Sequence, residues 1–238
     1  MFILTGKLSF AFLFIFLYLV NTITLAQPDF LSFDCFNDYG NYTRNSTYQR
    51  NLNTTLSRLP NTNSGFGFFN SSTGQAGSDT VHAVALCRGD VNLDACLSCL
   101  NDSIVKLREI CPTQKQAIGY YDLCMLRYSN QTVLNTNKIA ILLNTQNASD
   151  VDRFNEALSP LLNNVTAEAS GGGSLSKFAT GNTRGPGVTR IYALAQCTPD
   201  LTPQQCKQCL EGVISVFTNA YREKIGGRSL VPTCNFRL

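Results

Sequence analysis

The chain has 238 residues, 44% hydrophobic and 15% charged, with a formal net charge of +3. Without a basic run to concentrate it, so small a charge gives no electrostatic case for nucleic acid or an anionic membrane as a partner. The length allows one large domain or two of about 100 to 150 residues, and ten cysteines, an even number, suit full pairing in an oxidising compartment.

The chain opens on a leader. Lys7 precedes an apolar run from Leu8 to Val20, too short for the roughly 20 residues of a spanning helix, and Thr24 and Ala26 occupy the positions a signal peptidase reads. Residues 1–26 are therefore expected to be a signal peptide, and the mature chain to begin at Gln27. No other stretch approaches transmembrane length, and the end "PTCNFRL" is neither a lipid-attachment nor a retention signal. A secreted, soluble protein without a membrane anchor is expected.

Next, Tyr48, Leu52, Leu56 and Leu59 step by four, four and three, the pattern of one apolar helix face. "GFGFF" and "VHAVAL" read as strands. "ALCRGDVNLDACLSCL" places Cys87, Cys96 and Cys99 as C-x8-C-x2-C, and Leu97, Leu100, Ile104 and Leu107 continue as a second helical stripe. "YYDLCMLRYSN" reads as a closing strand through Cys124.

The pattern then repeats. Val151, Phe154, Leu158, Leu161, Leu162 and Val165 form a helical stripe in which Pro160 predicts a bend or a division. "KFATG" and "RIYALAQ" read as strands, with breaks at "SGGGS" and "TRGPG". Cys197, Cys206 and Cys209 restore the C-x8-C-x2-C spacing, Leu210, Val213, Ile214 and Phe217 make a helical stripe, and "SLVPTCNFRL" closes through Cys234. All four cysteines of the first set recur 110 residues later. The expected fold is α+β: two tandem modules, 27–131 and 137–238, each in the order helix, strands, helix, strands.

Four thiolates from Cys96, Cys99, Cys206 and Cys209 would suit tetrahedral zinc. Against this, each C-x2-C opens a helix within its own repeat and has a third cysteine nine residues before it. A redox pair is equally disfavoured, since "CLSC" and "CKQC" carry no cue for a depressed thiol pKa. The spacing reads as staples, each worth roughly 2 to 4 kcal/mol, although it leaves fifteen pairings open among six cysteines. No metal or cofactor is expected.

Catalysis has little to work with. The one histidine, His82, lies in a strand-like segment and reads as structural, and neither a nucleophile elbow nor a phosphate loop is present. Sequons at Asn41, Asn45, Asn53, Asn70, Asn101, Asn130, Asn147 and Asn164 are candidates for N-glycosylation.

The C-x8-C-x2-C motif, with "YALAQCTPDL", "KFATG" and "GGRSLVPTCNFR", resembles the ginkbilobin-homologous domain. This plant stress-antifungal module occurs in tandem in cysteine-rich repeat secretory proteins and in the ectodomains of cysteine-rich receptor-like kinases. The resemblance covers essentially the whole mature chain and implies that each disulfide-stapled module is a small antiparallel sheet with two helices. It implies the pairs Cys35–Cys111, Cys87–Cys96, Cys99–Cys124, Cys197–Cys206 and Cys209–Cys234. The second module lacks both ends of one bridge, with Tyr221 at the place of Cys111, and Leu143 and Tyr221 are offered as the residues filling that space.

The resemblance also implies an apoplastic, non-catalytic binding protein of stress or defence. Ginkbilobin is similar to a mannose-binding lectin that uses an Asn, an Arg and a Glu, side chains suited to sugar hydroxyls. In the first module the matching positions are Phe36, Ile118 and Ser129, which cannot do this. In the second they are Asn144 and Arg228, with the Glu position one past Leu238. The plain alternative makes Asn144 a turn or helix cap and Arg228 a solvated strand residue. Expected partners are thus a glycan, or receptor-like kinase ectodomains or a second copy; a truncated receptor ectodomain is a further reading.

Overall fold

The computed structural model describes residues 28–62, 65–75, 77, 79–131, 138–173 and 176–238, so the expected signal peptide lies outside it. The first half contains β1 (Phe30–Cys35), α1 (Thr47–Arg58), β2 (Phe68–Thr73), β3 (Val81–Cys87), α2 (Leu93–Ile110), β4 (Ala117–Tyr121) and β5 (Cys124–Ser129). The second repeats that order as β6 (Ala140–Leu143), α3 (Val151–Gly171), β7 (Phe178–Arg184), β8 (Arg190–Cys197), α4 (Pro203–Ala220), β9 (Gly227–Leu230) and β10 (Cys234–Arg237). The strands form two antiparallel five-stranded sheets, β1-β4-β5-β3-β2 and β6-β9-β10-β8-β7.

Each helix starts where a side chain can satisfy free backbone N–H groups. Ser46 accepts from Gln49 N, Asn92 from Ala95 N and Asp150 from Arg153 N. Thr202 and Gln205 form a reciprocal capping box, with Pro203 in the first turn of α4. The apolar stripes face inward: Tyr48, Leu52 and Leu56 on α1, and Phe154, Leu158, Leu161, Leu162 and Val165 on α3, are buried. Pro160 does not divide α3, which runs through it as one helix.

Two further differences from the sequence expectations concern strands. "YYDLCMLRYSN" is not one strand: β4 ends at Tyr121 and β5 starts at Cys124, around a turn at Asp122 and Leu123. The same division occurs in "SLVPTCNFRL", at Val231 to Thr233. In addition, β1 and β6 form sheet edges ahead of the first helix of each half, where no strand was expected.

The cysteine motif now has a geometric reason. Cys87 sits opposite Cys124 across β3 and β5, and Cys197 opposite Cys234 across β8 and β10. Cys96 and Cys99 are one helical turn apart on α2, so they share a face; each takes one of the two strand cysteines, with Cα separations of 5.7 and 6.1 Å. The second half closes Cys197–Cys206 and Cys209–Cys234 in the same way, at 5.8 and 6.2 Å. C-x2-C is thus a two-point staple that fixes a helix across two neighbouring strands. Cys35–Cys111 adds a third tie, from the end of β1 to the end of α2. With all ten cysteines in disulfides, none remains as a thiolate for zinc.

Where the second half lacks that third tie, the expected filler is only half right. Leu143 aligns with Gly227 as Cys35 aligns with Ala117, but its side chain is exposed. Phe217 occupies the space instead: its ring lies 6.3 Å from that of Tyr221 and 5.7 Å from that of Phe236. Gly227 makes this possible, because a Cβ there would stand 2.6 Å from the Phe217 ring.

Alternation along the strands sends one set of side chains to the helices and the other to the opposite face. Leu126, Ala85, Phe236 and Ala195 join the helix-side cores. Phe36, Phe68, Leu86, Ile118, Tyr120 and Met125 of the first half instead form one buried cluster with Leu230, against which Ala140 and Leu142 pack. The outer faces of the two sheets therefore meet, giving the layers helix, sheet, sheet, helix.

Candidate functional site

Polar contacts gather at the seam between the sheets. Asp122, in the β4–β5 turn, accepts from Arg88 of its own half at 2.8 Å, and meets Arg228 at 2.7 Å and Arg237 at 2.9 Å from the other. Arg88 also binds Asp90 at 2.6 Å. Gln196 Nε2 donates to the Cys87 carbonyl at 2.9 Å, and Gly89 runs so close to Phe178 that a Cβ there would overlap the ring. Burial pulls Arg237 down to about 10; Asp122 opposes the shift, while the neighbouring guanidinium groups of Arg228 and Arg88 add to it. Burial also lowers Arg127, against the attraction of Asp200 across the seam.

The structure separates the two candidate sugar-binding residues by task. Arg228 is partly exposed, and its guanidinium is held by Asp122. Asn144 is exposed just beyond β6, its N–H bonded to the Gly226 carbonyl at 2.9 Å, while Asp150 caps the helix that follows. Asn144 borders a cleft of about 580 Å³ with Gln146, Asn147, Arg190 and Tyr192, over an apolar floor that includes Phe154 and Ile191. Arg228 does not line it. Tyr192 is 64% exposed at its rim.

His82 sits on β3 with its Nδ1 2.8 Å from the Ser72 hydroxyl, an ordinary sheet-surface contact. Among the described residues no group of three metal-ligating side chains occurs, and no helix is long and apolar enough to cross a membrane. Of the sequons, Asn41, Asn45, Asn53, Asn70, Asn101, Asn147 and Asn164 are exposed, whereas Asn130 is only partly so, its Oδ1 buried. Asn147 also accepts from Lys224 Nζ at 2.7 Å.

Asp122 is the residue that sequence reasoning missed. Its partners in the other half lie more than a hundred positions away, and a lone Asp in a turn carries no pattern. The one available cue was Arg237 and Arg228 on strands whose other residues are largely apolar.

Comparison with known proteins gives the same two-part division. Residues 34–131 and 143–238 each match the family described as salt stress response/antifungal. Cysteine-rich receptor-like protein kinase 25 of Arabidopsis thaliana is 38% identical over 239 residues, covering 97% of this chain but 35% of the kinase. The chain thus spans about a third of that relative's length, and the kinase's catalytic part lies outside the match. Cysteine-rich repeat secretory protein 38 of Arabidopsis thaliana is 37% identical over 211 residues, covering 87% of this chain and 83% of the relative. Among solved structures, the tandem DUF26 ectodomain of the Arabidopsis thaliana cysteine-rich receptor-like protein PDLP8 superposes with a TM-score of 0.75 at 20% identity, over 89% of this chain and 97% of that one. The corresponding PDLP5 ectodomain gives 0.69 at 24% identity, over 88% and 98%.

Proposed function

Because the chain belongs to the salt stress response/antifungal family and carries its module twice, we propose that it is a non-catalytic recognition protein of plant stress or defence, working outside the cell. It presents a composite surface to receptor-like kinase ectodomains. The observation that carries this reading is the seam, where one carboxylate gathers three guanidinium groups from both halves and fixes the modules as one body. A fixed body presents a surface built from both halves without the ordering cost that a flexible pair would bear on binding. The test is binding of the mature, oxidised chain to purified cysteine-rich receptor-like kinase ectodomains. Saturable binding that Asp122→Ala weakens supports the reading; a folded protein that binds none of them ends it.

A second reading, a mannose-type glycan ligand, is favoured by the surroundings of Asn144. Amides, a guanidinium and an exposed tyrosine around a cleft of about 580 Å³ suit sugar hydroxyls and a sugar's apolar face. In this reading Asn144 works with Gln146, Arg190 and Tyr192, while Arg228 holds the seam. Titration with a mannose oligosaccharide tests it: saturable binding lost in Asn144→Ala supports the reading, and a flat response from folded protein ends it.

A further inference from the structure

A second cleft, of about 300 Å³, opens between the two halves. Lys177, just before β7, lines it and is 3% exposed. Its Nζ has no hydrogen-bond or ion-pair partner among the described residues, and no acidic residue lines the cleft. The other cation there, Arg88, is already engaged by Asp90 and Asp122. Gln196, 4% exposed, is turned by its Nε2 bond to the Cys87 carbonyl, which leaves Oε1 buried without a partner. Much of the remaining wall is apolar, with Phe66, Val91, Leu93 and Phe178. A buried amide oxygen is unfavourable when left unmatched, and a few polar groups beside it in a largely apolar cleft are the usual form of a small-molecule site.

We propose that this cleft binds a small aryl carboxylate bearing a hydroxyl next to the acid group. Lys177 takes the carboxylate, Gln196 Oε1 accepts from the hydroxyl, and the ring lies among the apolar side chains. The volume is at the lower limit for organic ligands, which confines the class to one ring with a short acid arm. The site is independent of the carbohydrate reading, since neither Asn144 nor Arg228 lines it. It is composite: β8 and the residue leading into β7 bring the polar pair, and the first half supplies Phe66, Val91 and Leu93.

The test is calorimetric titration of the mature, oxidised chain with mandelate, phenylacetate and mandelamide. The expected result is saturable binding of mandelate, several-fold weaker binding of phenylacetate, which lacks the hydroxyl, and at least tenfold weaker binding of neutral mandelamide. Lys177→Met should abolish mandelate binding and leave the melting temperature little changed, because the ammonium makes no ion pair that the substitution would break. No saturable binding by the wild type, or undiminished binding by Lys177→Met, overturns the proposal. Should that variant not fold, Gln196→Met replaces it: equal affinity for mandelate and phenylacetate supports the site, and a retained preference overturns it.

Discussion

Asp122 receives two charged contacts from the other half, from Arg228 and Arg237. Removing its carboxylate leaves Arg228 and Arg237 facing each other without a counter-charge. Truncating one partner of a desolvated charge pair costs about 2 to 5 kcal/mol, and the lower part of that range applies because Asp122 is a fifth exposed. Asp122→Ala is therefore expected to lower the melting temperature markedly in scanning calorimetry, and Asp90→Glu to do little. Tyrosines set a second expectation at this scale. Burial is the main cause that raises the pKa of Tyr42, Tyr48, Tyr120, Tyr121 and Tyr128, all in the first half. A phenol whose folded pKa is raised contributes stability that is complete below the unfolded value near 10 and falls as the pH rises beyond it, because the unfolded chain then binds fewer protons. Alkaline titration followed by tyrosinate absorbance should show a cooperative step above pH ~10, coincident with loss of the first half's structure; gradual ionisation of all tyrosines while the fold persists would contradict this.

Among the elements, the two halves solve one closure problem with different chemistry. The first ties β1 to α2 by Cys35–Cys111 across 76 residues, a loop worth about 4 kcal/mol in the chain-entropy account. The second packs Phe217 against Tyr221 and Phe236 over Gly227. Phe217→Ala should cost about 3 to 5 kcal/mol by denaturant titration, whereas Leu143→Ala, at an exposed site, should stay within about 0.5 kcal/mol. The helices were legible because four apolar stripes agree with one period. The staples were legible as spacing, and their pairing came only with the family resemblance. The edge strands β1 and β6 were not legible: "FLSFDC" and "AILL" are short, and what makes them strands is pairing with β4 and β9, far along the chain. The hairpin at Asp122 was missed because an apolar run on both sides of a two-residue turn reads as continuous.

For the whole molecule, the shared cluster around Ile118, Tyr120 and Leu230 predicts coupled melting of the halves. The wild type should give one calorimetric transition. Leu230→Asp, which places a charge in that cluster, should split it in two, with the second half, one staple short, melting first; a single transition in that variant would show that the cluster does not couple them. The candidate site was legible in its parts and not in its assembly. Asn144 and Arg228 were found from the resemblance, yet no sequence pattern could show that Arg228 is bound by a turn in the other half.

The face-to-face seam also means that the two copies have stopped being interchangeable. The turn holding Asp122 in the first half corresponds to Pro232 in the second, and Arg228 corresponds to Ile118. Two first halves would meet without the arginine at Ile118's place, and two second halves without an acid to receive it. The chain behaves as a fused heterodimer grown from a duplication. Cutting between the halves would release partners that each bare an adhesive face, not two self-sufficient proteins.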